Sequence, residues 1–189
     1  HQGAVLLFDS NNGSLVAILD ATPVTAIRTA AVSGVATREL ARENASSLAI
    51  LGSGVQAFTH LEAMCAVRPI KTLRVYSRNR ANCQRFADVA REKFNLDASV
   101  ASSGEDAVRH ADIICTTTSS SEPVLFGDWV SPGAHINAVG SSQRTARELD
   151  SAAVIRSRLY VDRRESALNE SGDMLVPLKA GDIDRKSGV

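Results

Sequence analysis

The chain has 189 residues, 44% of them hydrophobic, and sets 21 Lys and Arg against 21 Asp and Glu, for a net charge of zero. That composition supplies the core of one sizeable domain, or of one domain and part of another, and lacks the basic excess of a nucleic-acid binder. No apolar run approaches the roughly 20 residues that span a bilayer. Cys65, Cys83 and Cys115 form no CxxC pair and the four histidines no HxxxH spacing, so free thiols, a reducing cytoplasmic setting and no metal site are expected.

In chain order, residues 4–9 and 14–20 are apolar runs joined by Ser10-Asn11-Asn12-Gly13, and the Asn-Gly pair is a hairpin signal. Thr22-Pro23 reads as the N-cap and first residue of a helix reaching about Glu43, with Val24, Ile27, Ala31, Val35 and Leu40 as its apolar stripe. The strongest motif follows. In SSLAILGSGVQA a short apolar run ends in Gly52-Ser53-Gly54-Val55-Gln56-Ala57, and a helix-like segment over 55–67 comes next. Strand, glycine turn and helix make a GxGxxA dinucleotide fingerprint: Gly52 permits the tight turn, Gly54 removes a Cβ from the path of a pyrophosphate, and Ala57 lets the helix sit close on the strand. The N–H groups at the helix start then face the phosphates.

Further strands are expected at 72–77, 98–101, 111–116, 135–139 and 158–162, with helices at 81–94 and 105–110 and a polar loop over 117–134. Alternating strands and helices imply an α/β fold with a Rossmann-type doubly wound parallel sheet. The hairpin and first helix precede the fingerprint, so residues 1–44 are assigned to a second unit, 45–173 to the dinucleotide-binding domain and 174–189 to a return segment. In such a sheet, ligands bind beyond the carboxyl ends of the strands, where the strand order reverses. That brings together Gly52–Ala57, the hydroxyl run 116–121 and the loop 140–143.

The end of the second strand of that sheet reads Tyr76-Ser77-Arg78-Asn79-Arg80, with no acid to accept from the ribose hydroxyls of NAD. Ser77, Arg78 and Asn79 offer donors to a 2′-phosphate, so NADP(H) is favoured, with NAD(H) as the alternative. Arg28 interrupts the apolar stretch VTAIRTAAV. A guanidinium there suits a bidentate hold on a substrate carboxylate, and a solvent-facing helix arginine fits the same pattern.

IRTAAVSGVA, LAILGSGVQA, VYSRN, SSSEPVLFGDWVSPGAHINAVGS, REL and ESGD occur in one order, and together they resemble the ornithine cyclodeaminase/mu-crystallin family from about Gly3 to Asp182. The resemblance implies a Rossmann domain beside an α+β substrate and dimerisation domain. It implies an NAD(P)-dependent oxidoreductase, with a homodimer as the working form, a small imine or amino acid as substrate, and neither nucleic acid nor membrane as partner. Carried over by position, Arg28 binds the substrate carboxylate and Thr29 lies near the nicotinamide. Gly52, Ser53, Gly54, Val55 and Gln56 meet the pyrophosphate, and Ser77, Arg78, Asn79 and Asn82 surround the adenosine phosphate. Thr118, Ser119, Val139 and Ser141 flank the nicotinamide.

Two departures shape the expected activity. Cyclodeaminases of the family carry an acid shortly after INAVG, where this chain has Ser142. Cyclodeamination thereby loses an acid/base group, whereas hydride transfer to a preformed imine does not need one there; Ser142 is retained as a catalytic candidate that relays a proton through water. The family's N-terminal region, with a lysine near the substrate, would precede His1, so the chain reads as a central fragment whose own turnover is in doubt. The favoured activity is NADP-dependent reduction of a cyclic ketimine carboxylate of the pyrroline- or piperideine-2-carboxylate type, or oxidative deamination of a small amino acid. Ornithine cyclodeaminase and an NADPH-dependent ligand-binding protein of mu-crystallin type are the alternatives.

Overall fold

The computed structural model describes residues 3–141 and 143–184. Ala4–Phe8 (β1) and Leu15–Asp20 (β2) pair antiparallel. Their turn is closed by its own side chains: Asp9 accepts from the Asn11 N–H at 2.7 Å and Asn12 from that of Ser14 at 2.8 Å, with Gly13 at φ +72°. The first helix, Ala21–Leu40 (α1), starts earlier than Thr22-Pro23 predicts. The Asp20 carboxylate accepts from the Thr22 N–H at 2.8 Å and takes the N-cap position.

The buried face of α1 also differs from the predicted stripe. Ala26, Ala30, Ser33, Gly34 and Thr37 are buried, while Val24, Ile27, Val35 and Leu40 are exposed, Ile27 at 65%; Ala31 is exposed as well. Close approach explains the difference. Helix α1 lies on Val55–Val67 (α2), where a Cβ on Gly34 would sit 3.5 Å from that of Ala63. Small residues let two helix backbones come together, and a search for large apolar side chains passes over such a seam.

Polar contacts fix the seam at both ends. His60, fully buried, joins Ser33 Oγ at 3.0 Å through Nε2 and the Gln56 carbonyl at 2.7 Å through Nδ1. At the other end the buried Arg68 guanidinium donates to the carbonyls of Arg38, Ala41, Arg42 and Val67 at 2.7–2.9 Å. It satisfies orphan acceptors at the C-termini of both helices, where a cation is also favoured by the helix dipole.

Ser47–Leu51 (β3), Thr72–Tyr76 (β4), Asp97–Val100 (β5), Ile113–Thr116 (β6) and His135–Ala138 (β7) form a parallel sheet in the order β5-β4-β3-β6-β7. Alternation along the strands feeds two cores. Leu48, Ile50, Leu73, Val75, Ile113 and Cys115 face α2 and Arg80–Phe94 (α3), where Phe58 meets Phe86 edge-on with centroids 4.6 Å apart. Ala49, Leu51 and Ile114 face Ala107 and Val108 of Gly104–Val108 (α4), together with Leu125, Leu149, Ala153 and Val154. The sheet is therefore covered on both faces, as a doubly wound fold requires. The order reverses between β3 and β6.

Three helices were not foreseen in the sequence: Ser151–Ile155 (α5), Arg164–Glu170 (α6) and Gly172–Ala180 (α7). All are short, and α7 contains Pro177, which ordinarily argues against a helix interior. The unit boundary placed at Asp173 falls inside α7. Residues 158–162, expected as a closing strand, form none. They alternate between half-buried and exposed, but no described strand pairs with them, and without a ladder partner an alternating pattern remains extended chain. Among the described residues no helix is long and apolar enough to cross a membrane.

The α1–α2 seam gives a paired expectation. Gly34→Ala places its Cβ in ordinary contact with Ala63 and raises stability by up to about 1 kcal/mol through helix propensity. Gly34→Leu forces the helices apart and costs about 1–3 kcal/mol. Thermal denaturation of the two variants beside the parent reads both signs.

Candidate cofactor site

The glycine turn is shaped by its neighbours before any ligand is considered. The Gly52 N–H donates to the Tyr76 carbonyl at 2.8 Å, which ties the end of β3 to β4. Gly52 has φ +123°, and a Cβ on it would lie 2.6 Å from Thr117 Oγ1 and 2.8 Å from the Thr117 carbonyl oxygen. Both backbone strain and the loop after β6 therefore require glycine there. A Cβ on Gly54 would meet nothing within 4 Å, so the space in front of that residue is open. Gly54 is the N-cap of α2 and supplies no side-chain cap, and the first turn carries no acid. The first N–H groups of α2 are thus free of side-chain acceptors beside an open space, which is the geometry that receives a phosphate. Ala57 is fully buried, Val55 is exposed, and Gln56 turns its Oε1 into the protein without a hydrogen-bond partner.

At the end of β4, Ser77 Oγ meets Ser53 Oγ at 2.8 Å, the Asn79 carbonyl at 3.3 Å and Cys83 Sγ at 3.1 Å. Asn79 caps α3 by accepting from the Asn82 N–H at 3.0 Å, and the Asn82 carboxamide accepts in turn from Arg85. Arg78 is exposed, and no described residue forms a hydrogen bond or ion pair with its side chain.

On the other side of β3, the loops after β6 and β7 meet at one side chain. Glu148, fully buried, accepts from Thr116 Oγ1 at 2.8 Å, from the Thr118 N–H and Thr118 Oγ1 at 2.6 Å each, and from the Gly140 N–H at 2.6 Å. A Cβ on Gly140 would lie 2.2 Å from the Thr118 carbonyl oxygen and 2.5 Å from the Glu148 carboxyl carbon, so that strand end admits only glycine. Below it, Asp173 Oδ1 accepts from the N–H groups of Glu148 at 2.8 Å and Leu149 at 2.9 Å. Burial, together with the nearby Glu148 charge and against the bonds from both N–H groups and Ser141, pushes the Asp173 carboxyl up to about 6.

The structure thus gathers Gly52, Ser53, Gly54, Val55 and Gln56 with Ser77, Arg78, Asn79 and Asn82 on one side of the strand-order reversal, and Thr118, Ser119, Val139 and Ser141 on the other. Ser119 is exposed, and Ser141 Oγ donates to the Ala146 carbonyl at 2.5 Å. Arg28 is exposed on α1 and Thr29 Oγ1 donates to the Thr25 carbonyl at 2.7 Å; no hydrogen bond among the described residues joins either to the three loops. Ser142 lies outside the described residues. Glu148 and Asp173 were missed as site-forming residues. They lie in the REL and ESGD motifs, but an isolated acid in a polar stretch gives no sign of whether it will be buried. No three His, Cys, Asp or Glu side chains gather as a metal site among the described residues.

The model of the ornithine cyclodeaminase/mu-crystallin family matches residues 1–186. Ketimine reductase mu-crystallin of Mus musculus is 49% identical over 176 residues, which are 93% of this chain and 55% of that protein. Delta(1)-pyrroline-2-carboxylate reductase of Thermococcus litoralis, solved with NADH and L-proline, superposes with a TM-score of 0.96 at 42% identity, over 99% of this chain and 58% of that one. An archaeal alanine dehydrogenase dimer with bound NAD superposes at a TM-score of 0.91 and 33% identity, over 99% and 57%. The chain spans just over half the length of these relatives.

The raised Asp173 carboxyl has a signed consequence. Between the ordinary carboxyl range and about 6 the native state holds a proton that the unfolded chain has released, so this group's contribution to stability falls as pH rises through that window. Asp173→Asn keeps an acceptor for both N–H groups and cannot ionise. The stability of the variant relative to the parent therefore increases from about pH 4 to about pH 6 and is level above about pH 7, as denaturant melts across that range would read.

Proposed function

The chain belongs to the ornithine cyclodeaminase/mu-crystallin family, and from that premise we propose that it forms the cofactor-binding part of an oxidoreductase that reduces the C=N bond of a cyclic ketimine carboxylate. The observation that carries the reading is the open, uncapped start of α2 at Gly54, set across from the loops of β6 and β7 in a chain half identical to a ketimine reductase. The residues fit a dinucleotide: Gly54 leaves its approach open and the α2 N–H groups offer a phosphate seat. A bound reduced nicotinamide supplies the hydride for the imine carbon, and the imine nitrogen gains a proton to give the cyclic amine.

The chain's own groups have positioning roles in this reading. The α2 start and Ser53 hold the pyrophosphate, and the loops after β6 and β7 hold the nicotinamide half. Arg28 holds the substrate carboxylate from α1. Ser142 stands where cyclodeaminases have an acid, which favours reduction of a preformed imine over cyclodeamination of ornithine. The separate substrate unit, of which residues 1–44 form part, would complete the site. A homodimer is the proposed working form, supported by the dimeric alanine dehydrogenase and by the exposed apolar residues Leu6, Leu7, Phe8, Val16 and Ile18 of the hairpin.

NADP(H) is the proposed cofactor, because Arg78 is exposed and unpaired at the end of β4 and residues 76–83 contain no acid. NADH in the pyrroline-2-carboxylate reductase and NAD in the alanine dehydrogenase support NAD(H) as the second reading. Fluorescence titration separates them. NADPH is expected to bind more tightly than NADH, and Arg78→Ala to weaken NADPH by about tenfold, or ~1.4 kcal/mol, with NADH little changed. Equal affinities, or NADH the tighter, overturn the NADP reading.

The substrate reading has its own test in the full-length protein. Steady NADPH oxidation with pyrroline-2-carboxylate or piperideine-2-carboxylate, and no ammonia from ornithine, is the expected result. Arg28→Met is expected to raise KM for the ketimine by at least about tenfold while leaving cofactor affinity unchanged, the pattern of a lost carboxylate contact. Ammonia release without ketimine reduction would make the protein a cyclodeaminase.

A further inference from the structure

Glu148 is a fully buried carboxylate with no cation bonded to it among the described residues. A buried charge persists only where hydrogen-bond donors replace its hydration. Here the donors come from two separate loops: Thr116 Oγ1, the Thr118 N–H and Thr118 Oγ1 follow β6, and the Gly140 N–H follows β7. Neither loop can move without stripping a donor from a charge that water does not reach.

The backing of Glu148 is equally constrained. Its own N–H and that of Leu149 donate to Asp173, itself buried at the start of α7. A Cβ on Gly172 would lie 2.0 Å from the Ala146 carbonyl oxygen, so α7 begins in direct backbone contact with the segment that carries Glu148. One residue before Glu148, the Arg147 N–H donates to the Ser121 carbonyl, and one residue after it Leu149 bridges to Leu125. The carboxylate is thus presented by a segment held on several sides.

We propose that Glu148 is a positioning residue that sets the loops after β6 and β7 before the dinucleotide arrives and thereby governs affinity for its nicotinamide half. The inference rests on the dinucleotide reading above and adds to it a residue that touches neither cofactor nor substrate. It also reassigns Thr118. Both the N–H and the hydroxyl of that residue donate to Glu148, so Thr118 shapes the nicotinamide pocket through its backbone path and leaves ligand hydrogen bonding to its neighbours. A Gln in place of Glu148 would present an NH2 group to donors and remove the charge that draws them together.

The test compares a whole cofactor with its adenosine half in the full-length protein. For Glu148→Gln, the dissociation constant of NADPH is expected to rise at least about tenfold, while that of adenosine 2′,5′-bisphosphate stays within about twofold. If NADH proves the tighter dinucleotide, NADH and ADP replace those probes. Asp173→Ala, which removes the acceptor behind Glu148, is expected to give the same selective loss. Equal weakening of both probes, or of neither, overturns the proposal. A parent protein that binds neither dinucleotide counts against the cofactor reading itself. Amide hydrogen exchange in the unaltered, cofactor-free protein removes any dependence on folding of the variants: Thr118 and Gly140 are expected to be protected before cofactor is added, and rapid exchange until its addition would also overturn the proposal.

Discussion

The carboxyl ends of β6 and β7 lie where they do because one negative charge is buried between them. An acid taken out of water must recover its solvation from the protein, and Glu148 recovers it from hydroxyl and backbone donors that belong to two strand ends. The same requirement spreads outward. Gly140 must be glycine to bring its N–H within reach, Asp173 must accept the N–H groups behind Glu148, and Gly172 must let α7 begin against the Ala146 carbonyl. The burial of Asp173 next to Glu148 raises its carboxyl.

The opposite side of the crevice is organised by close approach instead of charge. Gly52 accepts a left-handed backbone because the Thr117 hydroxyl and carbonyl occupy the volume a side chain would need. The contact joins the glycine turn to the loop that Glu148 holds, so both halves of the crevice share one packing constraint. Helix α2 carries the effect further. Its first turn faces the open space at Gly54, while its body is locked to α1 by His60 and by Arg68. In the proposed reading α1 presents Arg28 to the substrate and α2 presents its N-terminus to the cofactor. The Ser33–His60–Gln56 connection is a polar link from α1 to the first turn of α2.

Much of this was legible in the sequence because it is written in short-range patterns. Asn12-Gly13 marked the hairpin turn, and LAILGSGVQA marked strand, turn and helix within a residue or so of their bounds. The sheet strands up to β7 followed from apolar runs between glycines and polar loops. What escaped depends on tertiary partners. The α1 seam is lined by Ala, Ser, Gly and Thr, residues whose burial only a close neighbour decides. Residues 158–162 have strand alternation and no strand beside them. Glu148 gives no local sign that four donors from other elements will converge on it.

The end of β4 shows how hydrogen-bond capacity bears on the proposed cofactor preference. A serine hydroxyl offers one proton and two lone pairs. Ser77 has Ser53, Asn79 and Cys83 within reach, which fills that capacity with protein partners. The Asn79 carboxamide oxygen is committed to the cap of α3 and that of Asn82 to Arg85. Among the described residues the amide NH2 groups of Asn79 and Asn82 and the Arg78 guanidinium keep their donors, and of these only Arg78 is charged. If a 2′-phosphate is bound here, the charge-assisted bonds come from Arg78 first, and Ser77 serves mainly as a strut between the glycine turn and α3. Discrimination between the two dinucleotides then rests mainly on an exposed cation, whose contribution is screened by salt, in contrast with the buried hydrogen bonds to Glu148 on the nicotinamide side.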